Sequence, residues 1–121
     1  MSKGDINLIL TIDEVPRSPN GPNGLLRMHW ARRRRYADGW YWLVFRAMGG
    51  DAHCCGELRA TVRIHQVRRR LLDTDNLYAS VKPVLDAMRK TGLIFDDSAK
   101  WCDLTVTQEV GRPVRTLIEM E

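Results

Sequence analysis

Acidic and basic side chains are concentrated in one stretch of the sequence, between residues 68 and 97. Three consecutive arginines open this stretch, and carboxylates and a lysine follow them. The residues that could do chemistry are Asp73, Asp75, Lys82, Asp86, Asp96 and Asp97. Cleavage of a phosphodiester needs such a set, because carboxylates bring a hard divalent cation to the phosphate and the cation activates water. A lysine can then neutralise the negative charge that develops during the reaction.

The spacing of these residues predicts that they lie close together. Asp73 and Asp75 point the same way if the backbone is extended there. In a continuous helix, Lys82 and Asp86 each fall within about 20° of Asp75, on one face. Pro83 disfavours helical backbone at Lys82, so we expect a bend or a new helix start near that lysine.

Each acidic residue also has a plainer interpretation. Asp75 could act only as a helix N-cap that accepts backbone N–H bonds. Lys82 and Asp86 could be an exposed i, i+4 ion pair worth a few tenths of a kcal/mol. Asp96-Asp97-Ser98 could be an ordinary turn, although it could also fold back after Gly92 to complete the site.

The elements that must position these residues can be predicted from hydrophobic periodicity and turn residues. Alternation predicts strands at residues 5–13 and 58–65, and two last strands, 103–110 and 114–120, are expected to form a hairpin around Gly111-Arg112-Pro113. Helices are predicted at residues 29–48, from a stripe that includes Tyr36, Trp40 and Val44, and at residues 74–90. The resulting order, β-α-β-α-β-β, indicates a small α/β (α+β) protein with two main helices packed on a mixed sheet. The length of 121 residues predicts a single domain over residues 1–121.

Charge indicates a polyanionic partner. Lys and Arg number 19 against 15 Asp and Glu, for a net charge of +4. Two runs, Arg32-Arg33-Arg34-Arg35 and Arg68-Arg69-Arg70, hold seven of the 19 basic residues. Clustered arginines favour binding to nucleic acid, while two solvated protein faces are the alternative.

The sequence also indicates in which cellular compartment the protein is expected. No apolar run approaches the roughly 20 residues of a membrane span, and the charged residues Lys3 and Asp5 stand near the start of the sequence, where a signal peptide would be apolar. Cys54, Cys55 and Cys102 are an odd number, with two adjacent, so no disulfide framework is expected. We therefore expect a cytoplasmic protein without a membrane partner.

Taken together, these motifs resemble the RusA family of Holliday junction resolvases, small homodimeric endonucleases common in bacteriophages and prophages. The family's pattern is a basic run, Asp-x-Asp-Asn-Leu, a helix with Lys and Leu-Asp-Ala, a Gly, an apolar run and Asp-Asp. Here the pattern covers about a quarter of the chain. It reads Arg68-Arg69-Arg70, Asp73-Thr74-Asp75-Asn76-Leu77, Lys82, Leu85-Asp86-Ala87-Met88, Gly92, Leu93-Ile94-Phe95 and Asp96-Asp97.

The resemblance implies roles for these residues. Asp73, Asp75 and Asp97 would be the essential carboxylates that bind Mg²⁺, with Mn²⁺ as a substitute, and Lys82 would be the catalytic lysine. Asp86, Asp96 and Asn76 would support them. Arg68, Arg69, Arg70 and the run Arg32–Arg35 would contact DNA. In one respect the sequence departs from the family, because Tyr78-Ala79-Ser80 add about one helical turn before the lysine.

The function that the resemblance implies is Mg²⁺-dependent resolution of four-way DNA junctions by a homodimer that makes paired, symmetric nicks. No small-molecule cofactor is expected, and the compartment would be the cytoplasm of a bacterium or of a phage-infected host cell. Two other interpretations remain open. One is a basic nucleic-acid-binding module without enzymatic activity, and the other is a metal-dependent nuclease that acts on forks or flaps.

Overall fold

The computed structural model describes residues 8–20, 24, 28–50 and 58–121 of the 121-residue chain. Its elements follow the predicted order, with the second helix divided in two. They are β1 (Leu8–Ile12), α1 (Trp30–Ala47), β2 (Ala60–Arg68), α2 (Thr74–Ser80), α3 (Lys82–Lys90), β3 (Cys102–Val110) and β4 (Arg115–Met120). The predicted α+β class is confirmed.

The four strands form one mixed sheet in the order β1-β4-β2-β3. The central strand β2 pairs in parallel with β3 and antiparallel with β4. The predicted hairpin of the last two strands is therefore wrong, because β2 lies between them. The chain crosses the end of β2 at Gly111, whose N–H donates to the Arg68 carbonyl at 2.9 Å. A Cβ at Gly111 would lie 2.8 Å from Cγ1 of Val67, so this close crossing favours glycine.

The core lies between one face of the sheet and the helices α1 and α3, which pack against each other. Alternate residues of β2, such as Val62 and Ile64, are fully buried, whereas Thr61 and Arg63 on the opposite face are exposed. The predicted stripe on α1 is confirmed, since Trp40 and Val44 are buried and the rest of the stripe packs against the core. Burial of each large apolar side chain contributes about 1.5–3 kcal/mol.

The structure bears on the sequence predictions about membrane spans and cysteines. Among the residues described above, no helix combines the length and the apolar character that a membrane crossing requires. Cys102 is buried in the core with a free thiol. Cys54, Cys55 and the first residues of the predicted opening strand, 5–7, lie outside the described residues.

Candidate active site

The helix α2 begins at the Asp-x-Asp-Asn motif. Asp73 is its N-cap, with extended backbone, and its Oδ1 accepts a hydrogen bond from the Asn76 N–H at 2.9 Å. Asp75 lies in the first turn, where a carboxylate is stabilised by the helix dipole. The capping role thus belongs to Asp73, and Asp75 is exposed without a hydrogen bond or ion pair to any described residue.

A glutamine on the neighbouring strand fixes the chain just before this motif. The Gln108 amide donates from Nε2 to the Leu72 carbonyl at 2.6 Å, and its Oε1 accepts from the Leu72 N–H at 2.9 Å. The Tyr78 hydroxyl, one turn into α2, accepts a hydrogen bond from the Val106 N–H of the same strand. Strand β3 therefore sets where α2 begins and how it is oriented.

The helix predicted from residue 74 to 90 is interrupted at Val81, and α3 begins at Lys82. Pro83 lies in the first turn of α3, where its missing N–H costs no helical hydrogen bond. The expected new helix start near Lys82 is confirmed. The single-face argument therefore applies within α3, where Lys82 and Asp86 meet, and not across the break from Asp75.

Asp97 returns to the start of α3 after a chain reversal. Gly92, at φ 84°, ends the helix in the left-handed conformation, and the Leu93 N–H donates back to the Met88 carbonyl at 2.9 Å. As a result, Oδ2 of Asp97 lies 2.6 Å from Nζ of Lys82. Oδ1 of Asp86 lies 3.1 Å from the same nitrogen. We call these three residues the lysine cluster.

Charge pairing shifts the pKa values of this cluster. The hydrogen bond to Asp97 raises the pKa of Lys82 above its ordinary 10.5, against a smaller opposing effect of desolvation. The same hydrogen bond lowers the pKa of Asp97 below its ordinary 3.8. Lys82 therefore stays protonated and Asp97 stays ionised at neutral pH. The ammonium group remains accessible, because the Lys82 side chain is 62% exposed.

The three implied metal ligands carry the oxygen donors that Mg²⁺ prefers. Across the described ranges, however, no group of three or more Asp, Glu, His or Cys side chains is placed to hold a metal ion. Asp97 faces Lys82, and Asp73 caps α2. A site of three converging carboxylates is therefore not formed. The donor set fits the sparser arrangement usual for Mg²⁺, in which one or two carboxylates act together with substrate phosphates.

The two arginine runs differ in how far they reach solvent. Arg68 is 9% exposed, and its Nη1 donates to the Pro16 carbonyl at 2.8 Å and to Oε1 of Gln66. Its expected contact with DNA is therefore corrected to a structural role inside the protein. Arg69 and Arg70 are exposed, directly before the acidic motif. The other run is exposed along its whole length at the start of α1, over residues 32–35.

The loop before α1 is held against α2. The Asn20 amide donates from Nδ2 to Oδ1 of Asn76 at 2.6 Å, and the Tyr36 hydroxyl accepts from the Arg17 N–H at 2.7 Å. Asn76 thus links the acidic motif to this loop, in keeping with its expected supporting position. Asp96 is half-buried beside Asp97, and the structure records no contact of its carboxylate with another described residue.

Several residues that organise the site were not identified from the sequence. Gln66 is fully buried and donates to the Ser80 hydroxyl, so Arg68, β2 and α2 share one hydrogen-bonded network. Strand periodicity could have revealed it, because Gln66 and Arg68 continue the inward-facing series of Val62 and Ile64. No comparable signal exists for Gln108 or Asn20, whose partners are distant in the sequence.

Comparison with known proteins adds no assignment. A scan against models of protein families finds no match, and a search of the curated proteins finds no significantly similar sequence.

Proposed function

We propose that this protein is a Mg²⁺-dependent endodeoxyribonuclease that cuts branched DNA and, as a homodimer, resolves Holliday junctions by paired nicks. The observation that carries the proposal is the lysine cluster. Asp97, 15 residues away in sequence, is brought within 2.6 Å of an accessible, protonated Lys82. A second carboxylate, Asp86, lies 3.1 Å from the same ammonium group and helps to fix its position.

The proposed chemistry is hydrolysis of a phosphodiester. A water oxygen bonds to phosphorus while the bond between phosphorus and one ester oxygen breaks, and negative charge collects on the phosphoryl group and on the leaving oxygen. The attacking water releases a proton to solvent, and the leaving oxygen takes up a proton to become a hydroxyl group. The ammonium group of Lys82 is suited to neutralise that charge by hydrogen bonding, and its raised pKa keeps it protonated. Asp97 and Asp86 hold the lysine side chain in place for this role.

Asp73 and Asp75 are the residues that would hold Mg²⁺ together with a DNA phosphate, while Asp97 stays paired with Lys82. When bound, the metal supplies charge stabilisation and a more acidic water. The exposure of Asp75 at the start of α2 supports this assignment, since its carboxylate has no competing hydrogen bond among the described residues.

DNA binding is assigned to the exposed arginines. Arg69 and Arg70 lie within four residues of Asp73, and the run at residues 32–35 adds further positive charge. Guanidinium groups bind phosphates without reading base sequence, so the affinity should depend strongly on salt. We further propose a cytoplasmic location, in a bacterium or an infected host cell, where such DNA intermediates occur.

Asp75→Asn tests the proposal, with Asp103→Asn as the matched control, because Asp103 is an exposed aspartate on strand β3. Turnover of a four-way junction, a fork and a linear duplex is measured for each variant with Mg²⁺. We expect Asp75→Asn to abolish nicking while junction binding is retained or improved, since a negative charge near phosphate is removed. The control should cut the junction like the wild type.

Three outcomes separate the alternatives. Nicking by Asp75→Asn at the wild-type rate would contradict the assignment of the site. Preference for forks over junctions would indicate a nuclease with a different substrate. Binding that is unaffected by EDTA, with no product in Mg²⁺ or Mn²⁺, would indicate the non-enzymatic alternative, in which Asp73 is only a helix cap.

A further inference from the structure

A pair of contacting aromatic rings, one exposed and one half-buried, lies in the segment that carries Asp97. Phe95 precedes the aspartate by two residues and Trp101 follows it by four. Their ring centroids are 4.6 Å apart with the planes inclined by 60°. Phe95 remains 40% exposed although it is a large apolar side chain. Since two residues span at most about 7 Å, this aromatic surface lies close to the lysine cluster.

The segment from Phe95 to Trp101 is held by several hydrogen bonds. Nη1 of Arg59 donates to the carbonyls of Ala99 and Lys100, at 2.9 and 3.0 Å. The Ser98 carbonyl accepts from the N–H groups of Trp101 and Cys102, at 3.0 and 2.8 Å. The aromatic pair is therefore presented on a fixed loop, which lowers the entropy cost of binding a flat ligand.

Positive charge accompanies the aromatic rings. Nζ of Lys100 lies 5.3 Å from the centroid of the Trp101 ring. Lys82 adds a second exposed ammonium group on the neighbouring helix, where it is paired with Asp97 and Asp86. An exposed aromatic ring beside cations, as Phe95 is here, is a combination that binds single-stranded nucleic acid, because each base offers a stacking face and each nucleotide a phosphate.

We propose that Phe95, supported edge-on by Trp101, provides a stacking face, here called the platform, for one nucleobase exposed at the branch point of the DNA substrate. This inference rests on the proposed function and specifies how that site would select branched DNA. In a continuous duplex both faces of every base are covered by neighbouring bases, whereas a branch point leaves bases with a free face. A base stacked on Phe95 would bring its own phosphate towards Lys82 and Asp97.

Equilibrium binding tests the platform without cleavage. A forked DNA with unpaired thymines at the branch point is compared with the same fork carrying abasic sites there, in EDTA. We expect the wild type to prefer the base-containing fork by about 5-fold or more. Phe95→Leu keeps the apolar volume but removes the ring, so this preference should be lost. Phe95→Trp should retain it, and Trp42→Leu, which removes an exposed ring on α1, should have no effect.

The outcomes are distinct from those for the nuclease itself. Equal preference in the wild type and Phe95→Leu would overturn the platform, even if the wild type nicks junctions. Equal loss of affinity for both forks in Phe95→Leu would also overturn the platform, because the two rings would then only stabilise the loop that carries them. If the wild type bound neither fork, the proposed function itself would fail.

Discussion

Lys82→Met separates a catalytic role of the lysine cluster from a structural one. The two ion pairs of Lys82 are exposed, and such pairs contribute about 0.2–1 kcal/mol each. Against this, Lys82 occupies the start of α3, where the helix dipole disfavours a cation by about 0.3–1 kcal/mol. The two effects largely cancel, so we expect the free energy of unfolding to change by no more than about 1 kcal/mol.

The effect on cleavage should be far larger. Loss of one positioned group that stabilises developing charge lowers a rate by about 100- to 1,000-fold. We therefore expect Lys82→Met to nick a four-way junction at least about 100 times more slowly than the wild type while it melts within a few degrees of it. Single-turnover nicking and thermal melting measure the two quantities.

Lys90→Met is the matched control, because Lys90 is exposed at the opposite end of the same helix. It should nick like the wild type. Nicking by Lys82→Met at the wild-type rate would refute the catalytic role. A loss of several kcal/mol in stability together with a parallel loss of activity would refute the reasoning as well, since the lysine would then be mainly structural.

Three further predictions concern stability and binding. The pKa of Asp97 is lowered in the folded protein, so its ionised carboxylate stabilises the fold above the ordinary pKa of 3.8, and this stabilisation is lost as the pH falls through the lowered value. The difference in free energy of unfolding between wild type and Asp97→Asn should therefore be constant from about pH 5 to 9 and vanish in acid. Arg68→Met should destabilise the protein by about 1–3 kcal/mol in denaturant unfolding, because it leaves a buried carbonyl and amide oxygen unpaired; an unchanged stability would contradict the buried role. Arg69→Met and Arg70→Met should leave stability within about 0.5 kcal/mol, yet each should reduce the slope of log affinity against log salt by about 0.9, and an unaltered slope would exclude that arginine from the DNA contact.

Local patterns predicted most of the fold. The amphipathic stripe of α1 gave the buried positions Trp40 and Val44, because helix periodicity fixes which residues share a face. Pro83 likewise predicted where α3 begins, since its effect on the backbone is local. The hairpin was predicted wrongly because strand pairing is not a local property of the sequence. Gly111-Arg112-Pro113 indicates a chain reversal but not whether a third strand, β2, lies between its arms.

The site was predictable in its residues more than in its geometry. The fold-back of Asp97 after Gly92 was one of two interpretations of the sequence, but its pairing with Lys82 was not predicted. The burial of Arg68 was not predicted either, because three identical side chains in a row conceal which one faces the core. Convergence of Asp73 with Asp97 depends on how α2 and α3 are oriented across the break at Val81, which no local pattern specifies.

The most direct test of the proposed nuclease activity uses one synthetic four-way junction, labelled on each strand in turn. The wild-type protein is incubated with it in Mg²⁺ and in EDTA, and the nick positions are mapped. We expect symmetric nicks on two opposing strands in Mg²⁺ and intact DNA in EDTA. Intact junctions in both conditions, with the protein bound, would contradict the proposed activity and leave only electrostatic binding by the arginines.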